Sequence, residues 1–167
     1  LLRLNRSHCG MTKLMPFFTF YGGKHRAAKH YPTPACDVIV EPFAGSAGYS
    51  LNHFERQVIL RDLDPIIVGT WQYLLGVKED DILDLPDLEP GESVDNLDVP
   101  QGARWLIGWW LNKGSSTPKR TASTFMLTYP EGGPYWGERI RERIASQLEH
   151  VRHWQIEVGH YADAPDV

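Results

Sequence analysis

The sequence is poor in cysteine and contains no long apolar run. Its 167 residues include only two cysteines, Cys9 and Cys36. Two cysteines supply neither a disulfide framework nor the spacing of a metal site, which favours a reduced, cytoplasmic protein with no bound metal. No apolar run approaches the ~18 residues that cross a bilayer, and residues 1–10 lack the apolar stretch of a secretory signal. We therefore expect no association with a membrane.

The net charge is also small, but the charged residues are unevenly distributed along the sequence. The formal net charge is −4, and 42% hydrophobic with 23% charged residues is typical of one globular domain. Residues 1–40 contain six basic side chains and one acid, residues 77–100 contain nine acids and one base, and residues 101–123 contain four bases and no acid. We interpret the acidic stretch as a solvated loop; a role between domains or as a mimic of DNA is the alternative.

The apolar patterns predict alternating strands and helices. Short β-branched runs at 36–42, 57–60 and 154–158 predict buried strands, and helices are predicted at 49–55, 66–75, 102–112 and 136–150. This order is typical of a mostly parallel sheet with helices on both faces. Because such sheets have five or more strands, the sheet is predicted to be incomplete.

A glycine-containing turn follows the first predicted strand. Residues 41–48 read EPFAGSAG, and glycines in this position let the backbone approach a ligand closely. Asp62 ends the next predicted strand, where an acid can accept hydrogen bonds from two ribose hydroxyls. The alternative is that Gly45 and Gly48 only form a turn and that Asp62 caps the next helix. Glu41 would repel a pyrophosphate, which favours a positively charged nucleoside over a dinucleotide.

Five motifs resemble those of the Dam-type family of adenine-specific DNA methyltransferases, in that family's own order. They are residues 16–24 (PFFTFYGGK), 41–48 (EPFAGSAG), 61–65 (RDLDP), 111–113 (LNK) and 160–163 (HYAD). The departures from the family pattern are Thr19, Phe20, Ala47 and Lys113. Ala47 stands where the family has a second glycine, so the turn is expected to tilt.

The resemblance implies a Rossmann-like, S-adenosyl-L-methionine-dependent methyltransferase fold of the α/β class with an inserted, mostly helical DNA-recognition region. Residues 1–15 would be a disordered or non-native head, and residues 16–76 the cofactor-binding part. Residues 77–137 would form the acidic connector and the DNA-recognition region. Residues 138–167 would return to the methyltransferase domain and end before its catalytic strand.

The resemblance also implies a role for individual residues. Those implied to bind S-adenosyl-L-methionine are Phe20, Tyr21 and Lys24 at its methionine end, Glu41, Phe43, Gly45 and Ser46 around methionine and ribose, Asp62 at the ribose, and Tyr161 and Asp163 at the adenine. Those implied to contact double-stranded DNA are Asn112, Lys113, Lys119 and Arg120. Lys24 as a surface lysine and Tyr161 as a core residue are the alternatives, and three tryptophans (Trp105, Trp109 and Trp110) are predicted to belong to the core.

The family's catalytic Asp-Pro-Pro-Tyr motif does not occur in the sequence. No catalytic residue is therefore predicted; family order puts the motif shortly after Asp163. The expected activity is methylation of the exocyclic amino group of adenine in DNA, in the cytoplasm of a bacterial or phage-infected cell. The alternative is an incomplete fragment or remnant that binds S-adenosylmethionine or DNA without turnover, with a missing C-terminal half or a homologous subunit as partner. A dinucleotide-dependent oxidoreductase is a third, less favoured class.

Overall fold

A three-stranded parallel sheet forms the centre of the protein. The computed structural model describes residues 13–129 and 133–163, and everything below refers to those ranges. The strands are β1 (Val38–Glu41), β2 (Gln57–Asp62) and β3 (Gln155–Val158), in the spatial order β1-β2-β3. Both pairings are parallel. The α/β class and the parallel sheet are thus confirmed.

Six α-helices accompany the sheet within the described ranges. They are α1 (His25–Ala28), α2 (Pro65–Gly76), α3 (Glu79–Leu83), α4 (Gln101–Trp110), α5 (Thr124–Leu127) and α6 (Glu138–Gln147). Single 3₁₀ turns occur at Ser50–Asn52, Val94–Asn96, Leu148–Val151 and Tyr161–Asp163. None of the described helices has the length and apolarity needed to span a bilayer.

The hydrophobic core lies on one face of the sheet in the described residues. Neighbouring residues of a strand face opposite sides of a sheet. On β2, Val58 is fully buried in the core, whereas Ile59 is half-buried and lies outside it. On β1, Ile39 and Val40 alternate in the same way. The prediction of helices on both faces is therefore not met here, because a second covering layer needs more crossover helices than three strands provide.

The start of α2, the helix after β2, is determined by the two residues Asp64 and Pro65. Asp64 precedes α2, and its carboxylate accepts a hydrogen bond of 2.8 Å from the amide of Ile66, while Pro65 occupies the first helical position. The predicted helix at 66–75 is confirmed, and its cap is Asp64. By contrast, the helix predicted at 49–55 is a single 3₁₀ turn at Ser50–Asn52, because the chain then makes a second turn, in which the Arg56 amide donates to the His53 carbonyl at 3.0 Å, before β2 begins.

The predicted DNA-recognition region packs into the same core as the sheet. Its longest helix, α4, lies against α2 at two glycines. A Cβ on Gly69 would lie 2.2 Å from Trp105, and one on Gly102 would lie 2.4 Å from the Cβ of Tyr73. The regular elements in the described residues between 77 and 137 are helices (α3, α4 and α5) and a 3₁₀ turn (Val94–Asn96), with loops between them. Proline and glycine in the connector interrupt helix formation.

Candidate functional site

The turn after β1 is fixed from two sides. Gly45 has a φ of +45°, in the left-handed region that favours glycine. Its amide donates to Asp62 Oδ2 at 3.1 Å, and its carbonyl accepts a hydrogen bond of 2.8 Å from Trp71 Nε1. Ala47, at the family's second glycine position, also has a positive φ, of 55°. The turn is thus held both to the end of β2 and to the buried indole of α2.

A second segment of backbone lies directly against this turn. A Cβ on Gly48 would lie only 2.6 Å from the backbone nitrogen of His25, a distance that no side chain tolerates without a shift. A Cβ on Gly23 would lie 3.1 Å from both Ser46 Oγ and the carbonyl oxygen of Phe20. The absence of side chains at these two glycines therefore allows residues 20–25 to form a wall beside the turn.

Glu41, the last residue of β1, uses its carboxylate to hold the chain that follows the turn. Its oxygens accept hydrogen bonds from Ser50 Oγ at 2.6 Å, from the Ser50 amide at 3.1 Å and from the Tyr49 amide at 3.4 Å. Burial raises the pKa of Glu41, and the hydrogen bonds from Ser50 and Tyr49 and the charge of Lys24 oppose that rise. The Glu41 carboxylate is therefore both a structural acceptor and a neighbour of the Lys24 ammonium.

A cavity of about 740 Å³ opens between these elements at the carboxyl end of β1. Its polar side includes Lys24, Glu41 and Ser46. Its apolar side includes Phe20, Tyr31, Pro32, Pro34, Val40 and Phe43. The volume lies within the range of about 300–1,000 Å³ that is typical of small-molecule sites, and a mostly apolar lining with a few polar groups is typical as well.

Six of the ten residues predicted to bind the cofactor line this cavity: Phe20, Lys24, Glu41, Phe43, Gly45 and Ser46. Tyr21 does not; its side chain is 71% exposed. Asp62 lies beneath the turn, where its second carboxylate oxygen accepts a 3.0 Å hydrogen bond from the Asp64 amide. Asp163 follows β3, and its carbonyl oxygen accepts a 2.6 Å hydrogen bond from Arg61. The side chain of Tyr161 is outside the described part of the chain.

Sequence reasoning found Phe20 and Phe43 but missed the rest of the apolar side of the cavity. It is formed in part by residues 31–35 (YPTPA), which lead directly into β1. Tyr49 hydroxyl donates to the carbonyl of Pro32 at 2.8 Å and so ties this segment to the chain after the turn. The two prolines before a strand were the available signal, because they favour an extended, rigid approach to β1.

The residues predicted to contact DNA differ in their surroundings. Asn112 is half-buried, and its backbone carbonyl accepts a 3.1 Å hydrogen bond from Thr19. Lys113 is exposed, with its ammonium 5.9 Å from the ring centre of Tyr135. Lys119 and Arg120 are exposed next to α4, and Arg120 Nε donates to Asp95 at 2.7 Å. Of the four residues, the consecutive pair Lys119 and Arg120 therefore lies at one exposed place next to α4.

Of the three tryptophans of α4 that were predicted to belong to the core, two do, whereas Trp105 is half-buried and lies outside it. Trp109 and Trp110 are buried, and the indole of Trp110 donates to the carbonyl of Phe17 at 2.9 Å. In the described residues, no group of three or more histidine, cysteine, aspartate or glutamate side chains is arranged to hold a metal ion. Cys36 is exposed there, and Cys9 lies outside the described residues.

The fold and the site define an α/β protein with a ligand-sized cavity at the carboxyl edge of a small parallel sheet. No family model matches the chain. A search of curated proteins likewise found no significant match. Its function therefore has to be argued from the site.

Proposed function

We propose that the chain is the cofactor- and DNA-binding part of an adenine-specific DNA methyltransferase. The reaction is transfer of a methyl group from S-adenosylmethionine to the exocyclic amino group of adenine in double-stranded DNA. The observation that carries the proposal is the cavity at the end of β1, which is lined by six of the residues that the sequence motifs nominate. These six residues belong to two of the five motifs, residues 16–24 and 41–48, and the structure packs the two segments against each other around the cavity.

The strand order supports a Rossmann-like methyltransferase fold. In a doubly wound sheet, consecutive strands are neighbours within each half, and ligands bind at the carboxyl ends of the strands where the order reverses. Consecutive described strands are neighbours here, and in the described residues β1 pairs with β2 alone. The cavity lies at the carboxyl end of β1 and includes Val40 of that strand. The free edge of β1 would then be the point of reversal.

The residues around the cavity fit the chemistry of S-adenosylmethionine. The Lys24 ammonium suits the carboxylate of the methionine portion, and the apolar wall with Tyr31 and Phe43 suits a planar adenine. Glu41, when ionised, suits the positive sulfonium. Each oxygen of Asp62 already accepts one backbone amide and retains acceptor capacity for a ribose hydroxyl.

The chemical step needs groups that the sequence does not contain. When bound, the cofactor supplies an activated methyl group, and the residues of this chain bind and orient it. The catalytic Asp-Pro-Pro-Tyr motif is absent from the sequence. A strand added parallel to the free edge of β1 would end beside the cavity, because parallel strands share their carboxyl edge. We assign the catalytic motif to such a strand, which a partner of this chain would supply.

The second candidate function is binding without turnover. The absence of the catalytic motif favours it for this chain in isolation, because binding and orientation need only the cavity. Both candidates require S-adenosylmethionine to bind beside β1, and they differ only in whether a partner completes the chemistry.

Calorimetric titration with S-adenosylmethionine tests the proposed site. Phe43 lines the cavity with 71% of its side chain exposed, and Leu63, 59% exposed after the neighbouring strand, does not. Truncating either residue removes little from the core. Phe43→Ala should weaken binding about tenfold, which corresponds to about 1.4 kcal/mol of lost contact, and Leu63→Ala should not change it.

Two results would count against the proposed function. If the unmodified protein releases no heat and shows no saturable binding, the cofactor assignment fails. If both variants bind as tightly as the unmodified protein, the ligand lies elsewhere, and the cavity beside β1 is not its site.

A further inference from the structure

A second, smaller cavity of about 270 Å³ lies beside the first turn of α4, and we call it the α4 cavity. Three basic side chains line it: Arg104 from α4, and Lys119 and Arg120 from the segment that follows. Gln101 and Thr117 add an amide and a hydroxyl group. Asp95 is the single acid among the lining residues. The α4 cavity is therefore rich in hydrogen-bond donors and positive in net charge.

The positive charges in the α4 cavity are only partly compensated. Asp95 pairs with Arg120, whereas no ion pair in the described residues involves Arg104 or Lys119. The guanidinium of Arg104 donates from Nη2 to the carbonyl of Leu97 at 2.9 Å, while its Nε is buried without a partner. Because buried donors in proteins are normally satisfied, a small rotation towards an acceptor in the α4 cavity would complete the hydrogen bonding of Arg104.

The backbone around the α4 cavity holds these side chains in place. The Lys119 amide donates to the carbonyl of Gly108 at 3.0 Å, and a Cβ on Gly108 would lie 2.4 Å from the Lys119 carbonyl oxygen. On the other side, the Arg120 carbonyl accepts a 2.8 Å hydrogen bond from the amide of Val94. The backbone of the basic segment is thus fixed between α4 and residue Val94, which keeps Lys119 and Arg120 beside the α4 cavity.

The start of α4 adds to the positive potential. The helix has ten residues, and its first backbone amides have no partner within the helix. Pro100 precedes it and provides no side-chain cap. Unpaired amides at a helix start carry a partial positive charge, which favours an anion beside the first turn.

We propose that the α4 cavity binds a phosphate group, and that this phosphate belongs to the backbone of DNA. Planar guanidinium groups and ammonium groups together with a hydroxyl are the donors that proteins use for phosphate oxygens. The DNA source rests on the proposed function, whereas the phosphate chemistry rests on the α4 cavity alone. Arg104 is a new member of the interface, since the residues nominated from the sequence were Asn112, Lys113, Lys119 and Arg120.

The test measures binding of a short DNA duplex over a series of salt concentrations. Lys119→Gln removes an exposed charge and is expected to leave the fold intact. Loss of one phosphate contact should lower affinity roughly eightfold at about 0.1 M salt and make the slope of log affinity against log salt less steep by about 0.9. Lys78→Gln, an exposed lysine at the start of α3, is the matched control and should change neither.

Titration with inorganic phosphate, followed by NMR, distinguishes the source of the phosphate. If Lys119→Gln leaves DNA binding unchanged but abolishes phosphate-induced shifts at residues 117–120, the ligand is a free phosphate and the DNA source is overturned. If neither probe responds to the substitution, the whole inference is overturned. S-adenosylmethionine binding to the unmodified protein is measured in parallel. If the protein does not bind S-adenosylmethionine, the proposed function is refuted. If it does bind, a negative result with DNA and phosphate overturns only the inference about the α4 cavity.

Discussion

Glu41 ends β1 with a buried carboxylate that accepts three hydrogen bonds from Tyr49 and Ser50. Burial raises its pKa above the ordinary value of 4.5, against the opposing effects of those hydrogen bonds and of Lys24. The folded protein therefore keeps a proton on Glu41 at pH values where the unfolded chain has lost it. The resulting contribution to stability is fully present below pH 4.5 and is lost as pH rises through the raised pKa.

Glu41→Gln should remove this pH dependence, because the amide has no ionised form. The quantity to compare is the difference in the free energy of unfolding between the unmodified protein and the variant. We expect this difference (unmodified protein minus variant) to decrease between about pH 4 and about pH 7. Urea unfolding at several pH values measures this difference. A difference that is constant or increases over the range would contradict the inferred effect of burial on Glu41.

At Gly45, both the backbone conformation and the neighbouring atoms disfavour a side chain. Its φ is +45°, and a Cβ would lie 3.2 Å from Cδ1 of Phe20. Gly45→Ala should destabilise the protein by about 1–2 kcal/mol from the backbone alone and push Phe20 into the cavity. Gly91→Ala is the matched control, since Gly91 has a φ of +81° and open space around it. Only the Gly45 variant should also lose affinity for S-adenosylmethionine.

Urea unfolding and calorimetry of these two glycine variants separate backbone strain from contact with Phe20. Equal cofactor affinity in both variants would mean that the ring of Phe20 does not bound the ligand site. Similar stability of the Gly45→Ala variant and the unmodified protein would contradict the described turn.

At the scale of elements, α2 and α4 determine how the 77–137 region joins the sheet. Gly69 lies inside α2, and in the interior of a helix alanine is normally more favourable than glycine by about 1 kcal/mol. Here, however, a Cβ would lie 2.2 Å from the ring of Trp105. We therefore expect Gly69→Ala to destabilise the protein by about 1–3 kcal/mol, the usual cost of overpacking.

Gly76→Ala provides the matched control for this packing. Gly76 is the last residue of the same helix, and nothing lies within 4 Å of a Cβ placed there. Chemical unfolding should show little change or a small gain for Gly76→Ala. If Gly69→Ala proves equally harmless, α2 and α4 do not pack through this glycine.

The sequence predicted elements whose signals are local. Apolar periodicity was sufficient for α2, although its cap is Asp64 and not the Asp62 considered from the sequence, and β-branched runs were sufficient for the three strands. The short turn after β1 and the wall formed by residues 31–35 depend on how distant segments meet, and neither has a periodic pattern. The motifs nominated most of the polar side of the cavity, but they carried no information on which neighbouring amides would donate hydrogen bonds to the Asp62 carboxylate.

At the scale of the whole molecule, the acidic connector is tied to basic parts of the fold. Asp95 pairs with Arg120, and Asp87 pairs with Arg141 of α6. The connector is thus not only a solvated loop. The Asp95–Arg120 pair is exposed and contributes little stability, typically ~0–1 kcal/mol, so its main effect is to offset the positive charge of Arg120 in the α4 cavity.

The isolated chain should bind S-adenosylmethionine without transferring its methyl group. The reason is chemical: the sequence has no Asp-Pro-Pro-Tyr motif to accept hydrogen bonds from the target amino group and to stack on an extruded base. Incubation with radiolabelled S-adenosylmethionine and unmethylated duplex DNA measures transfer. Efficient labelling of the DNA by this chain alone would refute the assignment of catalysis to an added strand.

The most direct test of the account is an NMR titration of the protein with S-adenosylmethionine, in which backbone amide shifts locate the bound ligand. We predict saturable shifts at Gly23, Gly45 and Ser46, around the cavity at the end of β1, and no comparable shifts at residues 117–120. Saturable shifts confined to another part of the molecule, or none at any ligand concentration, would contradict the central claim.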